Sequence, residues 1–287
     1  MKMICATIAL FVLMLGCPTK SAAQDNPTAK QILDRVLQTY SNARSFSCDF
    51  DYVGQRDLTT TTTNSTVNQP FKILFSRPDR LRLDWPKENS GSLTNSYFTR
   101  HDTLYLYWAM TNKYARKESL QECVKLMANG IPEWKSTGKG WSSTVYPSLM
   151  LGGEIPSLLL GGGGFFDFAS LKEQPDVSIV GVDCFSFAGQ DRAKDSVEVA
   201  IDKSTYAIVQ LRVIRAIKGA AAADAKKELE RTDPQRASKI PDIPPGPDFT
   251  ISHVATFKNF SFGTDIPREA FDYNLPREAK LVDDALQ

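Results

Sequence analysis

The sequence has little of what several kinds of functional site require. Its 287 residues include two histidines and no CxxC, HExxH, GxSxG or GxxxxGK[ST] motif. The 34 basic and 33 acidic residues give a net charge of +1, whereas nucleic-acid binding needs clustered positive charge. We therefore expect no cofactor, no metal, no nucleic-acid partner and no enzymatic activity. A hydrolase that uses His101 or a pair of carboxylates stays an alternative.

Long apolar runs are also scarce. Lys2 followed by the apolar stretch Ile4–Leu15 is typical of an export signal and is too short to span a bilayer. Small residues before Gln24 favour a signal peptide at residues 1–23, which would leave a mature chain of residues 24–287. The lipobox-like sequence before Cys17 is an alternative that would leave a lipid-anchored Cys17, and a buried N-terminal helix is a third. With no later apolar run long enough to cross a membrane, we expect a soluble periplasmic or secreted protein, and a monomer.

Cysteine is equally rare. Removal of residues 1–23 would leave Cys48, Cys123 and Cys184, so at most one intramolecular disulfide can form in an oxidising compartment. Cys48 lies on the apolar side of an alternating segment, where an unpaired thiol behaves as a small hydrophobe. A Cys123–Cys184 disulfide is therefore the pairing that we favour, and the absence of any disulfide is an equal alternative.

What the sequence does contain is a helix followed by many short strands. Residues 28–42 carry apolar side chains at helical spacing, and alternating apolar residues then predict a hairpin over 71–85 and another over 97–108. Further strands are expected at 177–182, 184–188, 196–202, 208–214 and 251–262. The predicted fold is α+β and mainly β, with one strongly curved antiparallel sheet that forms an unclosed half-barrel.

Two segments interrupt this pattern within what we interpret as a single domain. Residues 118–172 are rich in leucine, phenylalanine and glycine, which suits a mobile cover and equally an ordinary surface loop. Residues 216–248 predict a charged helix followed by a stiff proline-rich stretch.

Large apolar side chains repeatedly fall on one face of the predicted strands. If the helix and residues 118–172 cover that face, its interior is either a packed core or an apolar cavity. The candidate lining residues are Ile32, Val36, Phe50, Phe71, Ile73, Phe75, Leu81, Leu83, Trp85, Leu104, Leu106, Trp108, Leu159 and Phe165.

Four phrases, in order, resemble the LolA/LolB/LppX superfamily of periplasmic lipoprotein and lipid carriers. They are the N-terminal helix and first strand, the phrase F-x-I-x-F-x-R-P-D-R-L-R-x-D-W at Phe71–Trp85, the hairpin from His101 to Tyr114, and the terminal Phe260–Pro276 pattern. In the third phrase Thr103 replaces the usual glycine. The segment from Gly181 to Thr205 is similar to an uncharacterised branch of the superfamily.

The resemblance implies a half-barrel with helices as a lid over an apolar cavity that holds acyl chains. The implied ligand is a lipid or the acyl chain of a lipoprotein. Such a ligand implies a role in lipoprotein sorting, with a membrane-bound delivery or acceptor protein as the partner. The two interrupting segments make this chain longer than a minimal member of the superfamily. The resemblance therefore does not assign a particular partner protein to it. A sensor or protein-interaction module with a filled interior is the alternative function.

Overall fold

The computed structural model describes residues 27–58, 61–86, 93–101, 103–117, 154–160, 170–191, 194–217 and 248–283, with parts of a helical segment between 227 and 238. The predicted signal peptide, Cys17, Cys123, Phe165 and most of the two interrupting segments lie outside the described residues. None of the helices within the described part is long and apolar enough to cross a membrane.

The chain enters the fold through helix α1 (Ala29–Asn42). The Thr28 hydroxyl accepts a hydrogen bond from the Gln31 backbone, and the Gln31 side chain accepts one from the Thr28 backbone, which forms a capping box. The predicted apolar stripe is buried at Ile32, Leu33, Val36 and Tyr40. Leu37, which the spacing also assigned to the stripe, is instead 38% exposed, because it lies at the margin of the buried side of the helix.

Twelve strands follow within the described part of the chain. The first six are β1 (Ser45–Leu58), β2 (Thr61–Ser76), β3 (Arg80–Pro86), β4 (Leu93–Arg100), β5 (Thr103–Trp108) and β6 (Lys113–Lys117). The others are β7 (Lys172–Ile179), β8 (Val182–Gln190), β9 (Ser196–Asp202), β10 (Ile208–Ile217), β11 (Phe249–Phe262) and β12 (Lys280–Val282). Residues 154–159 form a short helix, which we label α2, and Pro234–Ala237 form the short helix α3. Arg268–Phe271 form a 3₁₀ turn.

All twelve strands belong to one sheet, ordered β12-β6-β5-β4-β3-β2-β1-β11-β10-β9-β8-β7. The edge strands β12 and β7 do not pair with each other, so the sheet is open, and the predicted mainly β fold with a single unclosed sheet is confirmed. One detail of the prediction is wrong. β12 pairs with β6 in parallel, because the C-terminal segment crosses the sheet before it adds a strand at the edge.

The strand predicted at 177–182 is also wrong in its bounds. β7 already begins at Lys172, and a turn at Val180 and Gly181 separates it from β8. Both turn residues have positive φ, 52° and 80°, which suits a tight hairpin turn and needs glycine at one of the two positions. A short apolar run cannot show where such a turn falls, because Ile179, Val180 and Val182 all have high strand propensity.

The sheet has two unlike faces. We call the face that carries α1 the inner face; it holds alternate residues of β1, such as Phe46 and Phe50, and their counterparts on the neighbouring strands. These side chains, with α1 and α2, form one continuous buried apolar cluster. The opposite side, the outer face, holds the polar and aromatic residues between them, such as Arg82, Asp84 and Phe98.

Candidate functional site

The structure brings the predicted lining residues together on the inner face. All of them except Phe165, which lies outside the described residues, belong to the same buried cluster, with side chains between 0% and 6% exposed. They come from α1, α2 and strands β1, β2, β3 and β5, because period-two alternation places every second residue of each strand on this face. Whether they line a lipid cavity stays a prediction.

Aromatic rings dominate the centre of the inner face. Phe50 of β1 stacks on Phe71 of β2, with ring centroids 4.5 Å apart, and also contacts Phe257 of β11 at 5.0 Å. The ring centroid of Trp85 lies 5.6 Å from that of Tyr97 and 6.1 Å from that of Trp108. The surface beneath the helices is therefore apolar, aromatic and continuous across several strands.

Helix α1 contributes a buried hydrogen bond of its own to this face. The Tyr40 hydroxyl accepts a hydrogen bond of 3.0 Å from the backbone N–H of Ile208, at the start of β10. The Tyr40 ring packs against Phe46 and Phe262, and full burial raises the pKa of the hydroxyl far above its usual range. Tyr40 therefore fixes the C-terminal part of α1 on the sheet through a neutral hydroxyl.

Arg77 joins both covering helices to the turn between β2 and β3. Its guanidinium donates to the carbonyls of Ser41 at 2.5 Å, Ala43 at 2.9 Å and, from α2, Leu159. The last turn of α1 has no basic residue of its own, so Arg77 supplies the positive charge that the carbonyl end of the helix favours. One side chain thus holds the ends of two helices that are far apart in sequence.

The inner face becomes polar at the end far from Arg77. There the Tyr52 hydroxyl and His253 Nδ1 are hydrogen-bonded at 2.7 Å, and the two rings stack. Burial first, and then the nearby Arg215 charge, lowers the pKa of His253 to about 4, so the imidazole is neutral at pH 7. Burial also raises the pKa of Tyr52. Arg215 is itself paired with Asp195 at 2.5 Å.

Gln69 lies beside this pair. The β1–β2 register sets Tyr52 opposite Gln69, which is 7% exposed and precedes Phe71 on the inner side of β2. Among the described residues, neither Gln69 Oε1 nor the buried indole Nε1 of Trp85 has a hydrogen-bond partner. We call Tyr52, Gln69, Trp85 and His253 the polar end.

The outer face is closed by the C-terminal segment. Arg82 pairs with Asp84 at 2.8 Å and donates to the carbonyls of Ala270 and Asp272, while its guanidinium lies 5.5 Å from the Tyr273 ring centroid. The Asp84 carboxylate also accepts a hydrogen bond of 2.6 Å from Ser96. Burial raises the pKa of Asp84, against the opposing effects of Ser96 and Arg82. This network is structural, since it joins strands to the chain end.

Two cysteines, Cys48 and Cys184, lie within the described residues. Cys48 is buried and free, as expected for a thiol on the apolar side of β1. Cys184 is also buried, and burial raises the pKa of its thiol to about 11, while the Cys123–Cys184 disulfide stays a prediction. Its partner Cys123 lies outside the described residues. The described residues contain no group of three or more His, Cys, Asp or Glu that could hold a metal ion.

Sequence reasoning found the apolar part of the site and missed its polar contacts. Arg77 lies in the R-P-D-R turn that carries the family resemblance, yet nothing local indicates that Ser41 and Leu159 are its acceptors. Gln69 had a signal: it stands between Val67 and Phe71, where the alternating positions from 67 to 75 are otherwise apolar. His253, a residue of β11, is hydrogen-bonded to Tyr52.

Among known proteins, the chain shows similarity to solved structures. No family model matches the chain, and no curated protein matches it. An uncharacterized conserved protein from Thermus thermophilus has a TM-score of 0.42 at 12% identity, over 89% of this chain and 99% of that one. The LolA superfamily protein NE2245 from Nitrosomonas europaea has a TM-score of 0.31 at 10% identity, over 86% and 99%.

A third similar structure is a chain of the Pseudomonas aeruginosa MucA/MucB complex. Its TM-score is 0.38 at 10% identity, over 86% of this chain and 61% of that one. The solved structures similar to this chain thus include a member of the LolA superfamily, which is the superfamily that the sequence motifs resemble.

Proposed function

We propose that the protein is an exported, non-enzymatic carrier that binds lipid or lipoprotein acyl chains between the inner face and helices α1 and α2. One observation carries this proposal. The inner face is a continuous apolar surface covered by two helices, and the polar contacts described for these helices include those of Arg77 and Tyr40. A cover of this kind can separate from the sheet at its margins without breaking any strand pairing.

The free energy of apolar burial is sufficient for such a ligand. Each buried CH₂ group contributes about 0.8 kcal/mol, so a long acyl chain transferred from water to this surface gains on the order of 10 kcal/mol before the costs of binding. Acyl chains need shelter from water and no catalytic group, which agrees with an inner face built from apolar side chains.

Co-purified lipid is the direct test. Native mass spectrometry of protein from an export-competent host should show adducts with the masses of lipids, and the purified protein should take up an environment-sensitive fluorescent fatty acid. The N-terminus of the mature protein, Gln24 or a lipid-modified Cys17, tests the proposed export. Repeated preparations that carry no lipid and take up no fatty acid would contradict the proposal.

Two adjacent residues of β2 give a matched pair of variants. Ile73 is fully buried on the inner face, whereas Leu74, the next residue, points to the outer face and is half-buried. Ile73→Phe adds bulk to the proposed binding surface and should weaken fatty-acid binding about tenfold, at a cost of about 1–3 kcal/mol in stability. Leu74→Phe should leave binding unchanged. Equal binding by both variants would place the ligand elsewhere.

The alternative is an interaction module whose interior is filled by its own side chains. The burial of the inner-face residues by α1 and α2 favours it, since these side chains are already shielded from water. A folded protein that never binds acyl chains, together with Ile73→Phe destabilised far beyond Leu74→Phe, would support this function over the carrier.

A further inference from the structure

The polar end holds two buried polar groups for which the fold supplies no partner. Gln69 is 7% exposed and Trp85 is fully buried, and neither Gln69 Oε1 nor Trp85 Nε1 has a hydrogen bond among the described residues. A buried polar group without a partner costs about 1–3 kcal/mol. Such groups are rare in folded proteins, so an acceptor and a donor left open in one region call for an explanation.

The two groups lie close together on the inner face. The β2–β3 register pairs Lys72 with Asp84, so Trp85 follows beside Phe71, and Gln69 is the next inward residue along β2. Residues related in this way are diagonal neighbours, about 7–8 Å apart at their Cα atoms. At this spacing, one small polar group of a ligand would be within reach of both long side chains.

The described groups beside these side chains include two that are neutral. Burial keeps the Tyr52 hydroxyl protonated, and the His253 imidazole, with its pKa near 4, is neutral at pH 7. Arg215 and Asp195, whose charges act on His253, form an ion pair with each other. A free carboxylate, which only accepts hydrogen bonds, could not pair with the carbonyl oxygen of Gln69.

We propose that the polar end binds the uncharged polar group of an acyl ligand, of the class that both donates and accepts a hydrogen bond, such as a secondary amide. This inference rests on the proposed acyl-chain function and adds a head-group preference to it. The ligand N–H donates to Gln69 Oε1, the ligand carbonyl accepts from Trp85 Nε1–H, and the acyl chain follows Phe71, Ile73 and Phe75 beneath the helices.

The test compares three ligands that share one acyl chain. Displacement of a bound fluorescent fatty acid is measured with the N-methylamide, the methyl ester and the free acid of palmitic acid. The amide both donates and accepts, the ester only accepts, and the acid is ionised. The amide should displace the probe at an about tenfold lower concentration than the ester, since one matched hydrogen bond in a buried site distinguishes them.

Variants assign that preference to a residue. In Gln69→Leu the amide and the ester should differ by less than about threefold, because the acceptor is gone. Gln174→Leu makes the same change on the exposed edge strand β7 and should keep the full preference. Gln69→Met serves as a second variant should the leucine variant fail to fold, and Trp85→Phe should weaken amide and ester together.

The outcomes separate this inference from the proposed function. An equal affinity for amide and ester in the natural sequence, a preference that survives in Gln69→Leu, or tighter binding of the free acid would overturn the head-group preference while acyl binding stands. Failure of the fluorescent fatty acid itself to bind would overturn the proposed function and this inference with it.

Discussion

The two faces of the sheet are covered by segments that differ in their polar attachment. On the inner face, α1 and α2 lie on aromatic and aliphatic side chains, and their polar contacts include those of Arg77 and Tyr40. On the outer face, the C-terminal segment is held by the guanidinium of Arg82, two backbone carbonyls and a buried carboxylate, besides the ring contacts of Tyr273. Both covers contact neighbouring parts of the same sheet.

These two kinds of attachment differ in how much movement they allow. Apolar burial is non-directional and roughly proportional to area, so a helix on an apolar surface can shift while it keeps most of its stabilisation. A charge-assisted hydrogen-bond network loses its energy over a fraction of an ångström, because it depends on geometry. The inner cover therefore suits ligand entry, and the outer cover keeps the strands and the chain end in one arrangement.

The largest effect should come from the outer network. Asp84→Leu leaves Arg82 without its carboxylate in a partly buried position and removes the acceptor of Ser96, so the free energy of unfolding should fall by about 3–5 kcal/mol. Urea denaturation measures this. Acyl binding by the folded fraction should stay unchanged.

The control for Asp84 is a carboxylate in an exposed pair. Asp176 pairs with Lys203, and the two side chains are 54% and 37% exposed, so Asp176→Leu should change the free energy of unfolding by less than about 1 kcal/mol. If both variants lose the same stability, the outer network has no special structural role and the comparison between the faces fails.

Arg77 tests the inner cover. Arg77→Met keeps the aliphatic length but removes the donors to Ser41, Ala43 and Leu159, so the free energy of unfolding should fall by about 3 kcal/mol. Unlike Asp84→Leu, this variant should also take up the fluorescent fatty acid several-fold faster, because the helix ends are released. Stopped-flow fluorescence measures the rate.

Arg80 provides the matched control, since it lies at the other end of the same turn and has no side-chain hydrogen bond within the described residues. Arg80→Met should change neither stability nor uptake rate by a comparable amount. An uptake rate that is the same in Arg77→Met and the natural sequence would show that the ligand does not enter beneath these helices.

The inner face was largely predictable from the sequence, and the reason is physical. In a strand the side-chain direction alternates strictly, so the apolar set Phe71, Ile73 and Phe75 could be assigned to one face without any knowledge of the neighbouring strands. Leu159, in contrast, came from a glycine-flanked apolar run, and it too is buried on that face.

The polar contacts could not be predicted in the same way. The acceptors of Arg77 lie on two helices that precede and follow it by dozens of residues, and only the assembled sheet brings them together. The parallel pairing of β12 with β6 depends likewise on the path of the C-terminal segment. A local pattern carries no information about such contacts, because many different folds would leave it unchanged.

His253 extends the comparison of the two faces to their response to pH. Its pKa in the fold is about 4, below the ordinary value of 6.5, so the unfolded chain binds a proton between these values and the folded protein does not. The contribution of His253 to stability should therefore be full above about pH 6.5 and fall as the pH decreases towards 4, by about 3 kcal/mol.

His253→Gln should remove this contribution, because glutamine can still bond Tyr52 but does not titrate. Urea denaturation at about pH 7 and about pH 4.5 should show the natural sequence losing about 2 kcal/mol more than the variant. Other groups, including Asp84 with its raised pKa, are present in both proteins and cancel in the difference. Equal losses would mean that His253 is hydrated and titrates normally.

The smallest effect should come from Tyr40. Tyr40→Phe keeps the ring against Phe46 and Phe262 but leaves the N–H of Ile208 without its acceptor, so the free energy of unfolding should fall by about 1–2 kcal/mol. Tyr105, which packs on Phe98 of the outer face through its ring and has no hydroxyl hydrogen bond within the described part of the chain, gives the control, Tyr105→Phe. That variant should be close to neutral. The Tyr40 hydroxyl bonds α1 to the sheet, whereas the Tyr105 hydroxyl bonds nothing described. A similar loss of stability in the two variants would therefore mean that apolar contact alone holds the C-terminal part of α1. The helix could then move on the sheet more easily than the hydrogen bond to Ile208 suggests.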